Sequence, residues 1–178
     1  MLNTRAAAFN RALIYNSCIP MRRIKLHEYQ AGALLHSHKI PIPIGHVAFT
    51  AAEAQSKADT FKTSGYVVKA QVLTGGRGLG HFKENGFQGG VHIVDTPDKV
   101  GKIAKEMIGK SLVTKQSGDK GFPCGSVYIV EKLGIEKEMY LSLTLDRKAG
   151  CPTFIYSPAG GMSIEDVAHT NPEKIFKL

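Results

Sequence analysis

From Tyr66 to Val72 the chain reads Tyr-Val-Val-Lys-Ala-Gln-Val, an apolar, β-branched strand with a lysine in its middle. It runs directly into a glycine-rich stretch, Leu73 to Gly90. A strand that places an ammonium among apolar neighbours needs a partner for it, because an unpaired buried charge is costly. A polyphosphate is one such partner. Glycines without Cβ let backbone N–H groups approach phosphate oxygens closely, and Arg77 adds a planar donor fork suited to the same oxygens. The loop is not a Walker A motif, since His81-Phe82 stand where Lys and Ser/Thr are required. Nor do its glycines have the spacing of a dinucleotide-binding G-x-G-x-x-G. The residues alone leave a second reading open, a glycine-rich hairpin beside a lysine that snorkels to water.

Around this segment, helices and strands alternate irregularly. Leu26, Tyr29, Ala33 and Leu34 share one helical face, so a helix is expected over 26–38, stopped by Pro41 and Pro43. Gly45 to Phe49 is a short strand candidate. Thr50 and Glu53 form a capping-box pattern that opens a helix running to about Gly65. Val91 to Val94 is a strand. Thr96-Pro97 is an N-cap followed by proline at the first helical position, opening a helix that ends near Gly109. Strands are expected over 112–116 and 127–131 on either side of a polar loop. Met139, Leu141, Leu143 and Leu145 alternate with polar residues as a half-buried strand, with Thr153 to Tyr156 as hairpin partner. Ser163 opens a last short helix. Adjacent strands joined by short turns favour an α+β fold over a doubly wound parallel sheet.

Two acids stand out. Glu131 ends an apolar strand, and Glu138 begins the next. A strand-end carboxylate at a hinge can accept from a base amino group or a ribose hydroxyl, and the second could complete a ribose contact or counter Lys69. Both also read as solvated acids in a lysine-rich turn. The histidines offer no ligand spacing. Cys18, Cys124 and Cys151 lie far apart, with neither a zinc pattern nor a disulfide framework.

The net charge of +8 is uneven. Arg5, Arg11, Arg22 and Arg23 fall in the first 23 residues, ahead of the first acid, Glu28. Beyond them 19 basic residues face 15 acidic ones, interleaved and without a basic stripe or its aromatics, which argues against a nucleic-acid partner. No apolar run approaches the roughly 18 residues of a membrane span. Residues 1–23, acid-free with Leu2, Ala6, Phe9 and Leu13 at helical spacing, have the character of a mitochondrial-type transit peptide cleaved near Arg22-Arg23.

In order along the chain, Leu26-His27-Glu28-Tyr29-Gln30, Val68-Lys69-Ala70-Gln71-Val72, Gly75-Gly76-Arg77-Gly78, Leu112-Val113-Thr114-Lys115-Gln116, Val130-Glu131 and Gly160-Gly161-Met162-Ser163-Ile164-Glu165-Asp166 resemble the start of succinate–CoA ligase (succinyl-CoA synthetase) β subunits. The resemblance runs from about Leu26 to Leu178. It implies an ATP-grasp fold, two α+β lobes that clasp a nucleotide, over 24–178. It implies that Lys69 contacts the phosphates, that Gly76, Arg77 and Gly78 form the loop over them, that Glu131 and Leu133 line the base and hinge, and that Glu138 lies on the ribose side. Family members form succinyl-CoA reversibly from succinate, CoA and ATP or GTP. The phosphoryl group passes through a phosphohistidine on a partner α subunit, with Mg2+ as cofactor. The magnesium ligands and the C-terminal ligase domain are expected beyond residue 178, where the chain reads as interrupted, so this stretch alone is expected to be inactive. Pro43 matches a position where proline accompanies ATP use and glutamine GTP use. Leu79 departs from the pattern, standing where many members carry lysine.

Overall fold

The computed structural model describes residues 24–161 and 163–178; the transit-peptide expectation and Cys18 lie outside them. The chain forms α1 (Glu28–Ser37), β1 (Gly45–Ala48), α2 (Ala51–Ala58), β2 (Tyr66–Ala70), β3 (His81–Phe82), β4 (Val91–Val94), α3 (Pro97–Met107), β5 (Ser111–Val113), β6 (Phe122–Pro123), β7 (Val127–Glu131), β8 (Tyr140–Asp146), β9 (Cys151–Ser157), α4 (Ile164–Thr170) and β10 (Phe176–Lys177).

Four strands make the principal sheet, in the order β1-β7-β2-β4, antiparallel throughout. The lysine-bearing β2 is one of its two central strands, beside β7. Period-two alternation sends Tyr66, Val68 and Ala70 to one face and Val67 and Lys69 to the other. Helices α2 and α3 close the first face. Their small and apolar residues, Ala54, Ala58, Val100, Ala104 and Met107, are fully buried and join Val68, Ala70, Val127 and Ile129 in one core. Both helices begin as their caps predict. The Thr50 hydroxyl accepts from Glu53 N at 3.1 Å and the Thr96 hydroxyl from Lys99 N at 3.4 Å, each satisfying a backbone donor that the first helical turn leaves free.

Several boundaries differ from expectation. Helix α2 stops at Ala58, not near Gly65. The following Thr60 and Thr63 hydroxyls bond locally, to Lys57 O and Gly65 O, and so compete with helical hydrogen bonding. Strand β2 ends at Ala70. Gln71 continues by a single backbone bond to Ser126 O. Strand β5 ends at Val113 because Thr114 turns the chain, accepting from Ser117 N.

The second sheet, β10-β9-β8, is a seven-residue hairpin plus an edge strand. The hairpin register pairs Leu141 with Tyr156, Leu143 with Phe154 and Leu145 with Pro152. The alternation predicted for β8 is present, but its apolar side is open. Leu141, Leu143 and Leu145 are 69%, 62% and 63% exposed, while the opposite face buries Thr153 and Ser157. Among the described residues no helix is long and apolar enough to cross a membrane.

Candidate nucleotide site

Lys69 leaves the principal sheet on the face away from α2 and α3, level with Tyr128 of β7 and Val91 of β4. Helix α1 lies on that face, with no residue of its own buried. Polar contacts hold its first turn. Gln71, itself 1% exposed, accepts from Tyr29 N at 3.3 Å and donates to Lys69 O at 3.1 Å. The first acid of the chain completes the attachment. Glu28 Oε1 accepts from Lys69 Nζ at 2.8 Å and Glu28 Oε2 from Arg77 Nη2 at 2.7 Å. The other arm of the Arg77 fork donates to Ala70 O at 2.8 Å.

This triad corrects one expectation. The carboxylate that counters Lys69 is Glu28, not Glu138. Glu138 sits beside the second sheet, its carbonyl accepting from Gly160 N and its side chain against Gly161. Burial alone would push the Glu28 carboxyl up. The hydrogen bonds from Lys69 and Arg77, with their charges, outweigh it and hold the group below the ordinary carboxylate range. Burial, with the Glu28 charge second, also raises the Tyr128 hydroxyl. One carboxylate between two cations leaves the cluster with one positive charge in excess.

The glycine loop folds back onto the sheet end. Gly90 N donates to Arg77 O at 2.8 Å, Gly89 N to Gly80 O at 2.7 Å and Ala70 N to Gly90 O at 2.8 Å. Gly76 has φ +69°, the left-handed region that other residues adopt only at a cost. Gly78 differs: its φ is not positive and an added Cβ would meet nothing within 4 Å. Its lack of a side chain therefore answers no packing demand among the described residues and leaves its backbone open to approach. Leu79, beside it, is 95% exposed.

Glu131 stands opposite Tyr66, three register positions from Lys69 along β2, or about 10 Å at the usual strand rise. One oxygen accepts from Ile44 N at 2.8 Å, which ties it to the residue after Pro43. Leu133 is exposed just beyond, where Lys132 N pairs with Gly65 O. Pro43, Ile44 and Tyr128 line a cavity of about 450 Å3 between α1 and the β1–β7 edge. Lys69, Arg77, Gly76 and Gly78 thus gather on one face of the sheet; Glu131, the register partner of Tyr66, falls by alternation on the α2 and α3 side and ends its strand, where its carboxylate reaches Ile44 N beside Pro43, with Leu133 just beyond, and Glu138 lies apart. Sequence reasoning overlooked Glu28 and Gln71. The one available signal was that Lys69 required a counter-charge.

Among the described residues no group of three or more His, Cys, Asp or Glu could hold a metal ion. The carboxylate beside Lys69 and Arg77, Glu28, is engaged by both cations. These residues do not fit a magnesium site.

Residues 25–178 match the model of the ATP-grasp domain family. The chain is 43% identical, over 98% of its length, to the mitochondrial β subunit of an ADP-forming succinate–CoA ligase from Dictyostelium discoideum. It is 44% identical, over 88% of its length, to the protein of the same description from Saccharomyces cerevisiae. It spans only 39% and 36% of those two relatives. In solved structures, a dinucleotide-forming acetyl-coenzyme A synthetase from Ca. Korarchaeum cryptofilum, in complex with coenzyme A and Ca-AMPCP, superposes with a TM-score of 0.58 at 17% identity. The superposition covers 86% of this chain and 59% of that one; at that identity the likeness speaks to the fold.

Proposed function

Because the chain belongs to the ATP-grasp domain family, we propose that the Lys69 face of its four-stranded sheet is one wall of a nucleotide site, with phosphates at Lys69 and the base at the end of β7, where Glu131 closes the strand. The observation that carries this reading is the triad. Lys69 sits on a half-buried sheet face, its ammonium already held by a carboxylate, beside a loop whose Gly78 backbone is open. The roughly 10 Å between the Lys69 and Glu131 positions suits a ribose spanning base and phosphate. The free oxygen of Glu131 can accept from a base amino group, and Leu133 and Val67 offer it apolar cover. Gly76 and Gly78 contribute backbone donors, and Glu138 meets the ribose side when the lobes close.

The relatives' descriptions support a larger reading. The complete protein is the β subunit of a succinate–CoA ligase, acting in a mitochondrion or related organelle with a partner α subunit. There it exchanges succinyl-CoA, ADP and phosphate for succinate, CoA and ATP. The part played by these residues is positioning and charge stabilisation of a phosphoryl group in transit. Magnesium, which would supply positive charge to the phosphates, would be held by residues outside this stretch.

Substituting Lys69→Ala in the complete protein tests the phosphate assignment. Loss of a charge-assisted contact weakens Mg·ADP binding by ~1.5–3 kcal/mol, read by calorimetry. Unchanged affinity removes Lys69 from the site. Pro43 supports a preference for ADP over GDP, since it has neither N–H nor polar side chain to pair guanine's extra groups. Comparing kcat/KM for the two diphosphates checks it. Equal values, or an advantage for GDP, would show that Pro43 does not set the choice.

A further inference from the structure

Glu28 belongs to the first turn of α1, 41 and 49 residues from its two partners, and nothing in the nucleotide reading requires it. Its geometry is specific all the same. One carboxylate spans two cations, with an oxygen 2.8 Å from Lys69 Nζ and the other 2.7 Å from Arg77 Nη2. A phosphoryl group presents oxygens of similar spacing and more charge. The two cations are not held alike. Arg77 is fixed at both arms of its fork, by Glu28 and by Ala70 O. The Lys69 ammonium has Glu28 as its one hydrogen-bond partner among the described residues, on a flexible four-carbon stem.

We propose that Glu28 is a placeholder anion for the nucleotide phosphate: it occupies Lys69 in the empty site, yields it when phosphate arrives, and stays on Arg77 to keep the glycine loop docked. This rests on the nucleotide reading above and adds a competitor to it. Before exchange, Glu28 spares Lys69 the cost of standing unpaired on a half-buried face. After exchange, its negative charge remains near the phosphate and opposes it. Glu28 therefore lowers nucleotide affinity, a useful property where the nucleotide must also leave. A residue that served only to brace Lys69 would have the opposite effect, so the sign of the change on removing its charge decides between the two.

The test is calorimetric titration of Mg·ADP into the complete protein, as wild type, Glu28→Gln, Glu28→Asp and Lys69→Ala. The proposal predicts that Glu28→Gln binds ~3–10-fold more tightly, the scale of one like charge removed from beside a phosphate in a partly exposed setting. Glu28→Asp keeps the charge and stays within about twofold of wild type. Equal or weaker binding by Glu28→Gln, or equal tightening by both variants, overturns the placeholder. Failure of wild type to bind, or no loss in Lys69→Ala, sinks the nucleotide reading itself and the placeholder with it. Should Glu28→Gln not fold, the nucleotide-bound wild type decides. Lys69 Nζ must leave Glu28 for a phosphate oxygen, and a Lys69–Glu28 pair still intact without a phosphate contact overturns the proposal.

Discussion

On one face of the principal sheet, Val68, Ala70, Val127 and Ile129 meet Ala54, Ala58, Val100, Ala104 and Met107 with no exposed surface. On the other, α1 buries none of its residues and is attached by Glu28, Gln71 and the tilted contact of Tyr29 with Tyr128, ring centroids 6.5 Å apart. The same strand serves both, because alternation gives β2 a hydrophobic side and a charged side. Close-packed apolar contact cannot be exchanged for anything a solvent or ligand offers, so the first face fixes the fold. Ion pairs of partly exposed groups contribute little to stability and can be traded for a phosphate. The second face can therefore change partners without unfolding the first.

Mutations should separate the faces. Met107→Ala, at a fully buried site, is expected to destabilise the protein by about 2–5 kcal/mol through lost burial and the cavity left behind. Nucleotide affinity of the folded fraction should stay within about twofold. Denaturant titration alongside binding checks both, and a large affinity loss would show that the faces are coupled. Lys69→Ala should do the reverse, with a binding loss and a stability change within about 0.5 kcal/mol. The smallest effect is on pH dependence. Since Glu28 is held below its ordinary range in the folded state, its contribution is present above the unfolded carboxylate pKa, about 4.3, and is lost as pH falls through the folded value. The stability difference between wild type and Glu28→Gln should therefore shrink on acidification below that value, as followed by thermal melts at decreasing pH. A difference that stays constant as pH falls would exclude the ion pairs as its source.

What the sequence made legible was local. Thr50 and Thr96 announce their helices because a cap lies three residues from the donor it satisfies. Val91–Val94 was readable because β-branched residues bounded by glycine and Asp95-Thr96-Pro97 leave little alternative. Lys69, Gly76 and Gly78 could be selected as a cluster for the same reason, being contiguous. The end of α2 is not legible in the same way: a cap marks where a helix starts, and hydroxyl bonding ends this one at Ala58, short of Gly65. Glu28 was invisible because its partners are 41 and 49 residues away, and no periodicity carries information over that distance. The open leucines of β8 have a related cause: alternation identifies an apolar side, and burial depends on what packs against it.

The most direct test of the account is the structure of the complete protein with a bound magnesium nucleotide. A phosphate oxygen is expected at about 2.7–2.9 Å from Lys69 Nζ, the range of a charge-assisted hydrogen bond, with the base at Glu131 and Pro43. A nucleotide bound elsewhere, or in this cleft with its phosphates turned away from Lys69, would contradict it.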